Sequence, residues 1–282
     1  MSGTGDHSLA RGLTPGEGVP FDDRGLAYGD GLFETVLVRD GVPQLWERHL
    51  GRLARVAAAL GFPLPERETL EALPARAGEG LAVLKLVLTR GSGGRGYLAP
   101  EAPEPRLRWQ VLPFSPDPAR WWQGVAVRHC RLRLAVQPAL AGLKHLNRLE
   151  NVLARGEWRD PEVAEGLLCD AEGRLVEATC MNVFWWSDGG WQTPRLEGCG
   201  VAGTLREALL ARGGIREVTA GPEVLDRVEA LCLGNSVQGL WPVTRLDDTE
   251  GRPLARWTPT ERHRTLQAEA HGLLGYPLQP DD

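Results

Sequence analysis

Long apolar runs are missing from this 282-residue sequence, and no stretch approaches the roughly twenty residues of a membrane span. The start, Met1-Ser2-Gly3-Thr4-Gly5-Asp6-His7, has no basic region followed by an apolar one, so no secretory signal is expected. A basic excess is absent as well. The formal net charge is −5, and neither nucleic acid nor a membrane is an expected partner. The five cysteines (Cys130, Cys169, Cys180, Cys199, Cys232) are widely spaced and form no C-x-x-C pair. That argues against a disulfide framework and a zinc site, and fits a reducing cytoplasm. The six histidines show no ligand spacing, so no metal is expected. Lysine is scarce too. Among 32 basic residues only Lys85 and Lys144 are lysines, and Lys85 falls in the middle of an expected strand.

What is present is 42% hydrophobic residues, enough to bury a substantial core in a chain long enough for two domains. Residues 1 to about 20 are rich in Gly and Pro and are expected to begin loosely. Leu32 to Val38 reads as a strand, and Asp40-Gly41 as a tight turn into a short strand at Val42 to Leu45. Leu45 to Leu60 reads as a helix with Leu50, Leu53, Val56, Ala57 and Leu60 on one face, ended by Gly61 and Pro63. Arg48, Arg52 and Arg55 accompany it, and Arg52 and Arg55 are expected on a solvated basic face. Glu66 to Ala77 reads as a second helix. Leu81 to Arg90 is apolar enough for a strand buried on both faces.

That strand runs into Gly91-Ser92-Gly93-Gly94-Arg95-Gly96-Tyr97, a formal G-x-G-x-x-G. No helix follows to offer its N-terminus to a pyrophosphate, so the stretch reads as a flexible loop carrying Arg95 and Tyr97. Arg106 to Phe114 returns as a strand. The prolines after it suggest a small N-terminal α+β domain over 1–115, a linker over 116–123 and a larger strand-rich domain over 124–282. In the second part strands are expected at Gly124 to Cys130, Gly166 to Asp170, Leu175 to Ala178, Asn182 to Trp186, Trp191 to Thr193 and Ala230 to Gly234. Helices are expected at Gly203 to Ala211, briefly near Val224 to Asp226, and at Thr260 to His271. A cleft between the two parts is the expected ligand site.

Three features of the second part carry possible chemistry. Lys144 stands at the entrance of a segment whose Leu146, Leu149, Val152 and Leu153 recur at helical spacing and are expected to pack inward. Such a lysine is either an ordinary solvated charge or an amine held partly dry, with a lowered pKa, ready to form a Schiff base. Glu177 interrupts a strand. It is either a surface carboxylate or a buried one that needs a cationic or hydrogen-bonding partner. Gly200-Val201-Ala202-Gly203-Thr204-Leu205-Arg206 is either an ordinary helix start or a set of free N–H groups placed to receive a phosphate. Lysine, carboxylate and phosphate cradle together match what pyridoxal 5′-phosphate requires.

Four segments carry a resemblance: Asp23-Arg-Gly-Leu-Ala-Tyr-Gly-Asp-Gly-Leu-Phe-Glu-Thr35, Thr89-Arg-Gly-Ser-Gly-Gly-Arg-Gly-Tyr97, Leu143-Lys-His-Leu-Asn-Arg-Leu-Glu-Asn-Val-Leu-Ala-Arg155 and Val176-Glu-Ala-Thr-Cys-Met-Asn-Val-Phe-Trp185. From about Phe21 to about Asp247 the chain resembles the fold-type IV pyridoxal-phosphate enzymes, the family of branched-chain and D-amino-acid aminotransferases and 4-amino-4-deoxychorismate lyase. The run Lys-x-Leu-Asn-Arg-Leu-Glu is most like the lyase branch.

The resemblance implies a two-domain α+β architecture with the cofactor in the interdomain cleft, and a homodimer with sites near its interface. It implies that Lys144 bonds the cofactor and that Glu177 pairs with the ring nitrogen. Arg48, in Glu-Arg-His-Leu, matches a phosphate-binding arginine, and the N–H groups of Thr204 and Leu205 match helix-start phosphate contacts. Ser236 matches a phosphate-side hydroxyl, although Gly-Asn-Ser stands where the aminotransferases have Ser-Gly-Thr. Asn182 belongs to the same cofactor-binding set. Tyr28, Thr35, Arg95 and Tyr97 are implied to face the substrate, with Arg95 and then Arg90 as partners for its carboxylates. Asn147 and Arg148 either brace the lysine segment or touch substrate. The implied activity is conversion of 4-amino-4-deoxychorismate to 4-aminobenzoate and pyruvate; the alternative is transamination on the same scaffold.

Overall fold

A computed structural model describes residues 18 to 278, so most of the Gly- and Pro-rich start lies outside the described residues. After a short α1 (Arg24–Tyr28), β1 (Gly31–Arg39) meets β2 (Val42–Pro43) through Asp40 and Gly41, at φ +50° and +77°. Two successive left-handed residues give the turn that matches strand twist. Then come α2 (Trp46–Leu60), closed by left-handed Gly61, and α3 (Arg67–Glu71). The single helix expected over 66–77 is broken, because Pro74 cannot continue it and opens a separate 3₁₀ turn.

With β3 (Leu81–Thr89) and β4 (Arg106–Pro113) these form an antiparallel sheet in the order β2-β1-β3-β4. β3 is not buried on both faces as expected. Ala82, Leu84, Leu86 and Leu88 point into the core while Lys85 is exposed, the alternation of a sheet covered on one side. α2 covers that side, packing Leu53, Val56 and Ala57 against Val36 and Leu84.

The stretch expected as a bare linker contains α4 (Pro118–Trp122), pinned by buried Trp121. The remaining chain gives β5 (Val125–Leu134), α5 (Leu149–Arg155), β6 (Val163–Asp170), β7 (Leu175–Ala178), β8 (Asn182–Ser187) and β9 (Gly190–Pro194). It continues with α6 (Thr204–Arg212), β10 (Ile215–Val218), β11 (Ala230–Asn235), β12 (Gly239–Asp247), β13 (Pro253–Arg256) and α7 (Glu261–Gly272). A second sheet runs β10-β9-β8-β11-β12-β5-β6-β7, with β13 on β12. Its core centres on Val183, Phe184, Leu231, Leu233 and Leu240, covered by Leu205 and Leu209 of α6 and Leu266 of α7.

The lysine segment departs from expectation. Lys144 precedes the helix as expected, but the helix starts only at Leu149, and Leu149, Val152 and Leu153, expected to pack inward, are 67%, 64% and 58% exposed. The buried residue of α5 is Ala154, whose small side chain lets the helix lie close to Cys130 and Trp158. No described helix is long and apolar enough to cross a membrane.

Candidate active site

Residues 142 to 146 run extended between two elements. Phe33 N–H donates to Lys144 O (3.1 Å) and Leu146 N–H to Gly31 O (3.0 Å), while Gly142 N–H donates to Gly200 O (2.9 Å). The segment is thereby tied to β1 on one side and to the loop before α6 on the other. Lys144 is held at the wall of a cavity of about 510 Å³ that also touches Phe33, Thr35, Glu177, Asn182 and Thr204. Its amine lies 4.1 Å from the centre of the Phe33 ring and makes no hydrogen bond among the described residues. Burial, then Arg52, lowers its pKa to about 8, against a smaller upward pull from Glu34.

Glu177, on β7, is 4% exposed and faces the same cavity. Its Oε2 accepts from Val201 N–H at 2.8 Å and its Oε1 from Asn151 Nδ2 at 3.5 Å, but it has no ion pair among the described residues. Burial pushes its pKa up, only partly opposed by the Val201 N–H and Arg148. A cation arriving at this carboxylate would relieve that penalty.

β1 offers Phe33 and Thr35 to the cavity and, on its other face, buried Glu34 to α2. Arg52 Nε and Nη2 donate to the two Glu34 oxygens (2.7 and 2.6 Å), and Nη1 donates to Ala202 O at 2.9 Å. His49 Nδ1 lies 2.7 Å from Glu34 Oε2, and its Nε2 is 3.4 Å from Thr204 Oγ1. Burial alone would raise the Glu34 carboxyl, but Arg52 and His49 outweigh it and hold it well below the usual range. The solvated position expected for Arg52 is therefore wrong; it is 3% exposed.

Arg48, expected at the phosphate, does not line the cavity; Arg52 does. The two are one turn apart, about 40° around the helix. Only Arg52 falls beside His49 and Val56 on the buried face.

Between β9 and α6, the loop at 200–203 brings Gly203 and Thr204 to the cavity wall. α6 begins without any side-chain cap, leaving its first N–H groups, among them those of Thr204 and Leu205, free of one. Asn182 Nδ2 donates to Val201 O (2.9 Å) and steadies this loop. Ser236 and Arg148 complete the residues gathered here from the expected set. Arg148 donates to His145 O (3.1 Å) and Leu143 O (3.0 Å), clasping the lysine segment.

Other expected residues lie outside this cavity's lining. Tyr28 packs on Tyr97 with ring centres 5.4 Å apart, and Tyr97 is 89% exposed. Arg95, in the same loop, is exposed. Asn147 donates to Gly29 O at 3.2 Å. Arg90 is not available to a ligand: it is ion-paired with Asp30 and donates to Gly61 O at the end of α2. Reasoning from sequence missed Glu34, His49, Arg120 and Glu165. Buried Glu165 accepts from Thr179 N–H (3.0 Å) and Cys180 Sγ (2.7 Å), and like Glu177 it is an acid inside an apolar strand.

The donor set fits pyridoxal phosphate on three counts. Among the described residues there is a buried amine without a partner, a buried carboxylate without a cation, and an uncapped helix start beside a buried arginine.

The family model for amino-transferase class IV matches residues 31–246. The aminodeoxychorismate lyase of Vibrio harveyi is 32% identical over 242 residues, spanning 83% of this chain and 89% of that protein. The crystal structure of 4-amino-4-deoxychorismate lyase from Pseudomonas aeruginosa superposes with a TM-score of 0.82 at 42% identity, covering 94% of this chain and 98% of the other. A fold IV-transaminase from Curtobacterium pusillum superposes with a TM-score of 0.72 at 29% identity, covering 94% and 93%.

Proposed function

This chain belongs to the amino-transferase class IV family, and from that premise we propose that it is a pyridoxal-phosphate-dependent lyase converting 4-amino-4-deoxychorismate to 4-aminobenzoate and pyruvate. One observation carries the cofactor reading: the unpaired Lys144 amine and the unpaired Glu177 carboxylate share a single cavity with the uncapped start of α6. The choice of lyase over transaminase rests on the higher likeness to the two lyases.

When bound, pyridoxal phosphate supplies an aldehyde that bonds an amine and a cationic ring that draws electrons from the carbon bearing it. Lys144 Nζ is the amine that holds it in this reading. Arg52, the N–H groups of Thr204 and Leu205, and the Ser236 hydroxyl hold the phosphate. Glu177 accepts the ring N–H and keeps that nitrogen protonated, while Val201 N–H and Asn151 fix the carboxylate. The substrate's amine takes the place of Lys144 on the cofactor, and the freed Lys144 Nζ, its pKa lowered by burial and Arg52, would then take the proton from the amine-bearing carbon of the substrate. The C–O bond to the enolpyruvyl group then breaks, pyruvate departs with a proton, and the remaining ring is aromatic. Aromaticity makes the conversion one-way. Asn182 and Arg148 keep the loop before α6 and the lysine segment in register.

The reading includes a cytoplasmic location, which suits five free thiols. It also includes a homodimer. Tyr28, Arg95 and Tyr97 belong to the substrate-facing set yet lie outside their own chain's cavity, and a second copy is the means of bringing them to one. The exposed apolar side chains of Leu149, Val152 and Leu153 supply surface for that contact.

The test is a product assay on the holoenzyme with 4-amino-4-deoxychorismate, following pyruvate and 4-aminobenzoate together. Equal amounts of both are expected. Transamination of amino acids with 2-oxoglutarate, with no 4-aminobenzoate formed, would overturn the reading.

A further inference from the structure

Four cationic side chains line the cavity among the described residues: Arg52, Arg120, Lys144 and Arg148. The substrate of the proposed reaction carries two carboxylates, one on the ring and one on the enolpyruvyl arm, so the supply of free cations decides how it is held. Arg52 is paired with both oxygens of Glu34 and with Ala202 O, and the N–H groups it has left serve the phosphate in the proposed function. Lys144 is the reacting amine. Arg148 spends Nε and Nη2 on backbone carbonyls.

Arg120 is differently placed. It sits on α4, and its guanidinium lies 4.8 Å from the ring centre of Trp241, which is 3% exposed. Its Nε is ion-paired with Asp117 Oδ2 at 3.2 Å, with both side chains part-exposed, and both Nη atoms have no hydrogen-bond partner among the described residues. A guanidinium stacked on a fixed indole presents its N–H edge sideways, the geometry that receives a carboxylate in two parallel bonds. α4 does not drift, because Trp121 Nε1 donates to Gln238 O (2.7 Å) and Arg264 donates to Trp121 O (2.9 Å) and Trp122 O (2.7 Å).

The neighbouring wall offers no backbone substitute. The N–H groups of Val237 and Gln238, two cavity residues, both donate to Asn235 Oδ1, at 2.9 and 2.7 Å. An anionic group arriving beside Trp241 therefore meets Arg120 as its cation, with the unpartnered Trp241 indole N–H beside it.

We infer that Arg120 is a specificity-determining residue, binding through its Nη edge the ring carboxylate that lies para to the substrate's amine and stays on the product. This rests on the lyase reading. It makes Arg120 the group that separates a dicarboxylate ring substrate from a simple amino acid, and it gives 4-aminobenzoate a foothold after the reaction.

The test uses Arg120→Gln and Arg120→Lys in the full-length holoenzyme, with 4-aminobenzoate and its neutral analogue 4-aminobenzamide as binding probes in calorimetry. Arg120→Gln is expected to weaken 4-aminobenzoate by about tenfold and leave 4-aminobenzamide unchanged, with Arg120→Lys in between. The KM for 4-amino-4-deoxychorismate rises by a similar factor while kcat stays within about twofold. Unchanged 4-aminobenzoate affinity, or an equal loss for both probes as a merely structural role would give, overturns the inference and leaves the lyase reading standing. A wild-type enzyme that yields no 4-aminobenzoate removes the lyase reading and this inference with it.

Discussion

Lys144 changes charge at a different pH in the folded apoprotein and in the unfolded chain. Burial and Arg52 bring it to about 8 when folded, against about 10.4 when unfolded. Below about pH 8 both forms are protonated, and the folded protein bears the full cost of a buried ammonium. Between the two values the unfolded chain holds a proton that the folded one has released, so stability rises with pH across that window. Glu34 slopes the same way but elsewhere. Its carboxyl is held low by Arg52 and His49, so its contribution is complete above the ordinary carboxylate range and is lost as the pH falls below it. The five thiols and Tyr276, pushed up by burial, pull the alkaline slope the opposite way, so the lysine's part is read as the difference from a variant that lacks it. Urea unfolding of the apoprotein at pH 7.5 and pH 10.5, compared with Lys144→Met, should show wild type gaining up to about 3 kcal/mol on the variant as pH rises. Parallel slopes would mean that the amine is not buried as a free base.

The loop before α6 and the first turn of that helix act as one element, because two glycines allow the chain to pass close to Glu177 and Asn182. A Cβ on Gly200, at φ +83°, would lie 2.6 Å from Val176 and 3.4 Å from Glu177 Oε2. One on Gly203 would lie 2.1 Å from Asn182 Oδ1. Gly203→Ala should therefore force Asn182 off Val201 O and displace the free N–H groups of α6. Inorganic phosphate binding to the apoprotein, measured by calorimetry, should weaken by about tenfold, the scale of one charge-assisted hydrogen bond. Wild-type phosphate affinity would show that the cradle lies elsewhere. This element was legible from its glycines and the helix they open. α5 was misread, because spacing reveals that Leu149, Val152 and Leu153 share a face without revealing what covers it. A surface kept for a partner has the same periodicity as a core. β12 was missed because Pro242 argues against a central strand. It is tolerated there since β12 begins to pair with β5 only at Val243, beyond the residue that lacks an N–H. Arg52 was passed over for Arg48 because both flank the same apolar stripe, and the sequence does not say which flank meets a buried acid.

At the scale of the whole molecule, the unsettled question in a lone sequence is which copy of the chain a residue serves. The loop bearing Arg95 and Tyr97 has a fixed shape: Arg24 donates to Gly96 O (3.0 Å) and Tyr97 O (3.1 Å) and is itself paired with Asp30 (2.9 Å). A loop braced in this way projects its two side chains ready-made, and neither is spent on its own chain's cavity. In a two-fold dimer the same projection can enter the partner's cavity, and each active site then draws on both chains. Mixing inactive variants tests this directly. Lys144→Ala lacks the reacting amine, and a chain with Arg95→Ala and Tyr97→Ala lacks the projection, so each alone should be nearly inactive. Random exchange of equal amounts makes about half the dimers mixed, and each mixed dimer holds one intact site, which restores about a quarter of wild-type activity. If Arg95 and Tyr97 served their own chain, the mixed dimer would contain one site without the amine and one without the projection. No mixing ratio would then recover 4-aminobenzoate formation.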